Sequence, residues 1–364
     1  MRFRSHPDAL ACAAIAAALV LVGSRPLAAQ YGVGGRLLTD AELWATDSAS
    51  ALLARDGGRA APLFRLQLFA AIQLPARMQI LALGGLTAGT ATNEDKVQTS
   101  VDQLVLRQVA SPAFVIEVGR FAHPVGVFAP RRFSNVNPLI GIPDGYPVTY
   151  PWGGQIQGGL SRFDYRIGFV TLPPSNESYV PKPGPWLRPA AGIGFSPRPG
   201  MRLGASASVG PYLSRELQDS LPAGSDWKDF QARVLAFDAQ VAIGYFESHL
   251  ELALSGYDAP TAPESVNGLT FYIEGKYTWT PRFFTALRLE YNDYAFIRPV
   301  GGGAWFARTT KMLNGEVGAG YRFTPSLLLK ASYRRDRWPP DLAAFLPNGH
   351  AVAMQLSYQL DVQP

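Results

Sequence analysis

Two stretches and the turn between them decide the fold: Leu269-Thr-Phe-Tyr-Ile-Glu-Gly-Lys-Tyr-Thr278, then Trp279-Thr-Pro-Arg282, then Phe283-Phe-Thr-Ala-Leu-Arg-Leu-Glu-Tyr-Asn-Asp-Tyr294. In the first, Leu269, Phe271, Ile273, Gly275 and Tyr277 alternate with Thr270, Tyr272, Glu274, Lys276 and Thr278. Successive side chains of a strand point to opposite faces, so this segment has one apolar and one polar face. The second stretch repeats the scheme. Phe283, Thr285, Leu287, Leu289 and Tyr291 face one way, and Arg288, Glu290 and Asn292 the other. Pro281 in the link cannot donate to a ladder, so the whole reads as an antiparallel hairpin.

The same unit recurs outward in both directions. Helical spacing is almost absent after Ala29, and period-two segments fall near 35–45, 63–74, 78–88, 99–107, 113–121, 154–161, 164–172 and 188–196. They continue at 201–210, 233–243, 248–257, 269–278, 283–294, 311–323, 326–335 and 350–361. Short turns at 75–77, 110–112, 197–200, 244–247, 279–282 and 324–325, and one between the sixth and seventh segments, alternate with long connections rich in Gly, Pro, Asn and Asp. Tight turns on one side of the membrane and long loops on the other are the habit of transmembrane barrels. The expected fold is all-β: a transmembrane antiparallel barrel of about sixteen strands. A soluble β-sandwich is the alternative, but it would need its apolar faces to meet. Here they form one band of Leu, Val, Ile, Phe and Ala, and only a closed sheet satisfies every backbone group in lipid. Trp44, Tyr277, Trp279, Tyr291, Tyr294, Tyr321 and Tyr333 fall near strand ends, where interfacial aromatic girdles sit.

The beginning of the chain reads as an export signal. Arg2 and Arg4 precede an apolar run over 9–23, and Leu27-Ala-Ala29 offers small residues for cleavage. Residues 1–29 are the expected signal peptide and 30–364 the barrel, placed in the outer membrane by way of the periplasm. The single cysteine, Cys12, lies inside that peptide, so disulfides and thiolate metal sites are excluded from the mature chain. Removing Arg2, Arg4, Arg25 and Asp8 leaves basic and acidic residues in near balance, with no clustered basic face for nucleic acid.

Catalytic patterns are lacking. His123, His249 and His350 have no metal-ligand spacing, no nucleophile motif is present, and Gly301-Gly-Gly303 reads as a flexible external loop. No enzyme activity and no cofactor are expected. Glu274, Glu290 and Glu316 lie on neighbouring strands that each carry a base, which suggests wall ion pairs.

The connection over 122–152 is the longest and follows the fifth strand, which makes it the third external loop. Phe128, Phe133, Leu139, Ile140, Ile142 and Tyr146 make it too apolar for a solvated tail. Pro124, Pro130, Pro138, Pro143, Pro147 and Pro151 stiffen it. The expectation is that it folds into the lumen and sets the constriction with Arg120, His123, Arg131, Arg132 and Asp144. Arg131 and Arg132 would supply a positive excess with Asp144 facing them. The expected pore wall comprises Arg36, Asp40 and Glu42 on the first strand, then Arg65, Arg107, Asp164, Arg166 and Arg202. It continues with Glu274, Lys276, Arg288, Glu290, Glu316, Arg322 and Lys330.

The stretch Gly119-Arg-Phe121…Pro124-Val-Gly126, ending a strand and opening a long third loop, resembles the general porin superfamily, with phosphate-selective O/P-type porins nearest in plan. The resemblance implies an inward third loop and a homotrimer. The chain departs from it in ending Tyr358-Gln-Leu-Asp-Val-Gln-Pro364 rather than on an aromatic residue, and in lacking a lysine-rich arrangement, so phosphate selectivity does not follow. The function expected is that of a passive diffusion channel for small hydrophilic solutes and ions, surrounded by outer-membrane lipid and mildly anion-preferring. A substrate-specific channel for a small organic anion, phosphate or sugar is the first alternative. A closed structural or adhesive barrel with ligand-binding loops is the second.

Overall fold

The computed structural model describes residues 32–46, 60–89, 97–144, 149–174, 180–262, 264–339 and 348–362. The expected signal peptide, Tyr146 and Pro147 lie outside them. The strands are β1 (Val33–Thr46), β2 (Ala60–Leu74), β3 (Met78–Gly89), β4 (Val97–Ser111), β5 (Phe114–Arg120), β6 (Trp152–Leu160), β7 (Phe163–Val170) and β8 (Arg188–Arg198). They continue as β9 (Met201–Pro211), β10 (Gln231–Ile243), β11 (Phe246–Tyr257), β12 (Val266–Thr278), β13 (Phe283–Gly301), β14 (Ala304–Thr324), β15 (Leu327–Arg337) and β16 (Gly349–Val362). Each pairs antiparallel with its chain neighbours, and β1 pairs with β16 from Gly35↔Val362 to Thr46↔Ala351, closing the barrel. Closure gives every strand two partners and leaves no edge to satisfy in lipid.

The period-two reading places the faces. Leu287 and Leu289 are 50% and 47% exposed on the outer surface, while Arg288 and Glu290 between them point inward and are buried. At the short-turn rim, Tyr277 packs edge-on against Trp279 with centroids 4.6 Å apart, and Tyr321 against Phe323 at 5.1 Å. These outward aromatics form a girdle. Trp44 and Tyr294 do not belong to it. Trp44 points inward and donates from Nε1 to Glu42 Oε2 at 2.7 Å, and Tyr294 is buried against Trp338.

The β13–β14 hairpin is taller than the sequence suggests. Gly301–Gly303 is its tight turn rather than a flexible loop, and the φ angles of 101°, 60° and 78° are ones that side chains rarely adopt. What holds the hairpin up is a small apolar core at the long-loop end. Tyr212, Leu213, Leu221 and Trp227 of the β9–β10 connection pack against Ala295, Ile297 and Trp305 of the hairpin. Trp305 Nε1 donates to the Ser220 carbonyl at 2.8 Å, so the buried ring is also satisfied.

Candidate functional site

The third loop leaves β5 through a short stem. Phe121 N donates to Pro151 O at 3.2 Å and His123 N to Thr149 O at 3.1 Å, while Arg120 Nε reaches Tyr150 O at 3.0 Å. His123 Nδ1 accepts from Val125 N at 3.0 Å. Burial, then the nearby Arg188 guanidinium, lowers its pKa to about 3. The buried ring is thus held in its neutral form.

From the stem the chain crosses the lumen. Phe121 and Val125 pack among the inward side chains Val105, Val170, Ala190, Val234 and Ala236. Gly126 N donates to Ser206 Oγ on β9, Gly126 O accepts from Arg166 on β7, and Val127 N donates to Glu251 on β11. A single 3-10 turn, Ala129–Arg131, then aims Arg131 at Glu274 on β12, and the next residue, Arg132, at Asp102 on β4. Phe133 lodges among Leu38, Phe69 and Leu83, and Ser134 Oγ donates to Asp40.

The far half of the loop is fixed through its backbone. Lys330 Nζ donates to the carbonyls of Ser134, Asn137 and Leu139, each at 3.0 Å. A buried ammonium has three protons, and here all three find acceptors, as burial of a charge requires. Ile140 packs on Trp44, Ala351 and Ala353. Gly141 N donates to Glu316 Oε1 at 3.0 Å and its carbonyl accepts from Arg288 Nη2 at 2.7 Å. A Cβ at 141 would stand 2.5 Å from Glu316 Oε2, so a larger residue would push that carboxylate aside. Arg288, wholly buried, also holds Glu274, Glu290 and Glu316 at 3.0, 3.0 and 2.7 Å. Asp144 N donates to Glu290 Oε2 at 2.9 Å, and its carboxylate pairs with Arg334 of β15.

Three expectations change accordingly. Arg131 and Arg132 are not a free positive pair facing Asp144, because each has its own wall carboxylate and Asp144 is held by Arg334. Arg288 and Glu290 face inward as expected but lie under the loop, at 0% and 1% exposure, rather than in open water. Glu274, Glu316 and Lys330 are covered in the same way. The remaining wall residues form pairs around the lumen. Glu42 accepts from Arg65 at 2.7 Å, Arg107 from β4 meets Glu117 at 2.6 Å, and Arg202 bridges Asp164 and Asp238. Lys276 meets Glu247 at 2.9 Å, and Arg36 meets Asp361 at 2.6 Å in the short-turn mouth. Arg322 lies on the inward face near that rim, where its backbone N–H donates to Arg282 O. Asp102, Glu251, Tyr272 and Arg334 were absent from the sequence-based site. Each sits on the polar face of its strand, which was the signal available.

The faces are testable, since Cys12 is the chain's one cysteine. Single cysteines at 287 and 289 should react with a membrane-confined maleimide. Cysteines at 288 and 290 should resist hydrophilic thiol reagents and become reactive once the loop is removed. Rapid hydrophilic labelling of 288 and 290 in the intact chain would mean that the loop does not cover them.

Two cavities flank the loop along β1–β4. The outer one, ≈ 380 Å³ on the long-loop side, is bounded by Arg65, Gln67, Thr87, Ser100 and Asp102 of the wall and by Arg132, Ile142 and Asp144 of the loop, with Arg334. The inner one, ≈ 300 Å³ on the short-turn side, is bounded by Arg36, Phe69, Leu81, Gln103 and Asp361.

No family model matches the sequence, and no curated protein does. Solved structures resemble it in shape. OmpF of Salmonella typhi, in complex with daunomycin, superposes with a TM-score of 0.62 at 11% identity, covering 90% of this chain and 97% of that one. A loop L8 deletion mutant of OmpT, an outer membrane protein of Vibrio cholerae, gives 0.58 at 9% identity over 91% and 100%. The trimer form of that OmpT gives 0.56 at 10% identity over 91% and 99%. The fold is that of an outer-membrane β-barrel. At such identities the likeness lies in the barrel plan alone, and the kinship with phosphate-selective porins stays a resemblance in a few residues.

Proposed function

We propose that this outer-membrane barrel is a porin, a passive diffusion channel for small hydrophilic solutes and ions, exported by residues 1–29 and assembled as a homotrimer. The observation that carries the reading is the third loop lying across the lumen, with a charged cavity on each side of it. Such a loop narrows a channel without sealing the barrel's backbone, and charges at a narrow place set ion preference. The trimer form among the structural neighbours supports the assembly.

The ion preference in this reading is weak. Arg65, Arg132 and Arg334 face Asp102 and Asp144 around the outer cavity, a small positive excess. Glu42, buried behind Arg65, offsets it. Planar-bilayer recordings of the purified protein test the proposal, and absence of conductance would reject it. Arg132→Ala leaves Asp102 uncompensated beside the cavity, so the reversal potential should move towards cations, with the permeability ratio changing by about twofold. Arg131→Ala should do less, because Glu274 keeps Arg288 at 3.0 Å. Equal shifts from both would argue against the outer cavity as the selective place.

A substrate-specific channel is favoured by one observation, the size of the outer cavity, which suits a small organic solute. Saturable uptake into liposomes would select that reading over general diffusion. In neither reading does the chain carry out a catalytic step.

A further inference from the structure

Resting on the channel reading, we infer that Phe133 is an apolar gate across the permeation path and the residue that determines what passes. The two cavities lie on opposite sides of one rung of the sheet. Above that rung the paired positions Arg65↔Thr87, Gln67↔Gly85 and Gly85↔Ser100 contribute to the outer cavity. Below it, Ala71↔Leu81 contributes to the inner one. The rung itself is Phe69↔Leu83, and there the Phe133 ring sits, touching both residues and Leu38. Phe69 and Phe133 meet edge to face with centroids 4.9 Å apart. Polar groups border both cavities, Arg65, Gln67 and Asp102 the outer and Arg36, Gln103 and Asp361 the inner, and the apolar side chains of Leu38, Phe69, Leu83 and Phe133 meet between them.

This contact differs in kind from the loop's polar ties to the wall. Gly126, Val127, Arg131 and Gly141 are tied to the wall by hydrogen bonds or ion pairs, and Lys330 grips three loop carbonyls. The Phe133 ring has no hydrogen bond or ion pair of its own and is held by apolar packing, its edge-to-face contact with Phe69 and the Arg132 guanidinium over its face. Its backbone is fixed, since the Phe133 carbonyl accepts from Val136 N at 2.9 Å and Asn137 N at 2.8 Å, so the ring can turn about its side-chain bonds without any hydrogen bond breaking. The Arg132 guanidinium lies 5.0 Å over the ring while pairing with Asp102, and so covers it from the outer cavity. A short apolar constriction between two wet spaces stops ions by dewetting, because a hydrated ion cannot keep its shell there. A solute with an apolar face loses less in passing and can take the place of the ring's wall contacts.

The test compares the parent with Phe133→Ser, Leu83→Ser and Val136→Ser in planar bilayers in potassium chloride, each variant first shown folded by heat-modifiable migration. Leu83→Ser attacks the same contact from the wall, should the loop variant not fold. Val136 lies on the same loop at 51% exposure, lines neither cavity, and serves as the control. Phe133→Ser should raise single-channel conductance at least about threefold and Leu83→Ser in the same direction, with Val136→Ser unchanged. If the parent conducts and Phe133→Ser matches it, or if Val136→Ser rises equally, the gate is overturned and the channel reading stands. If the parent does not conduct, the channel reading fails and takes the gate with it.

Discussion

Excising residues 126–148 and closing the gap with a short Gly-Ser link should raise single-channel conductance by on the order of fivefold or more, because a barrel of this strand number without its loop has a wide aqueous lumen. Three features make the experiment clean. The stem bonds of Phe121 and His123 to Pro151 and Thr149 lie outside the deletion, so the ends remain side by side. The barrel is closed by its own ladder from β1 to β16, to which the loop contributes nothing. The wall network also survives, since Arg288 keeps its contacts with Glu274, Glu290 and Glu316. The loop now lies across the lumen in contact with β9, β11 and β12, with β1–β4 and with β13–β15, and water would replace it. Lys330 loses its three carbonyls but gains solvent in their place. The increase should exceed that of Phe133→Ser, which opens a single point. A folded deletion variant with unchanged conductance would show that the loop is not the constriction.

The sequence carries the barrel because lipid and water impose one rule on every strand. Leu287, Arg288, Leu289 and Glu290 alternate for that reason, and the sixteen observed strands follow segments that alternation marks out. The loop obeys no such rule. Its apolar content required burial, which led correctly to asking where it is buried, but its partners are set by tertiary geometry. Arg131 meets Glu274 at a separation of 143 residues, and Asp144 meets Arg334 at 190. Nothing local distinguishes Glu274 from Glu290 as the partner of Arg131, so two adjacent arginines read as a shared positive excess while the folded chain sends them to opposite walls. Trp44 fails for a related reason. Its place near a strand end suggested a girdle, but its parity puts it inside, next to Glu42. Three consecutive glycines likewise suggest slack, whereas in β13–β14 they provide the positive φ of a tight turn between two long strands.

Arg288→Met should cost about 3–5 kcal/mol, the range for removing one partner from a buried ionic cluster. The loss should fall on the docking of the loop rather than on the barrel. Among the described residues Arg288 is the one cation in contact with all of Glu274, Glu290 and Glu316, and it also holds the Gly141 carbonyl. Methionine fills much of the same volume but donates nothing, leaving three inward carboxylates near one another and a loop carbonyl without its donor. Arg131 still pairs with Glu274, and Arg334 stands near Glu316, so the damage should centre on Gly141 and the segment that follows. The barrel ladder is untouched, so heat-modifiable migration should persist while proteolysis within 134–144 becomes faster and the current noisier. Arg288→Lys should lie between, since a compact ammonium cannot serve three carboxylates and a carbonyl with the reach of a planar guanidinium. The decisive control is Arg288→Met with Glu316→Gln. Removing one of the stranded charges should make the double variant less destabilised than the two single effects added together, the mark of direct coupling. Additive losses, or a loop as resistant to protease in Arg288→Met as in the parent, would mean that the cluster does not hold the loop in place.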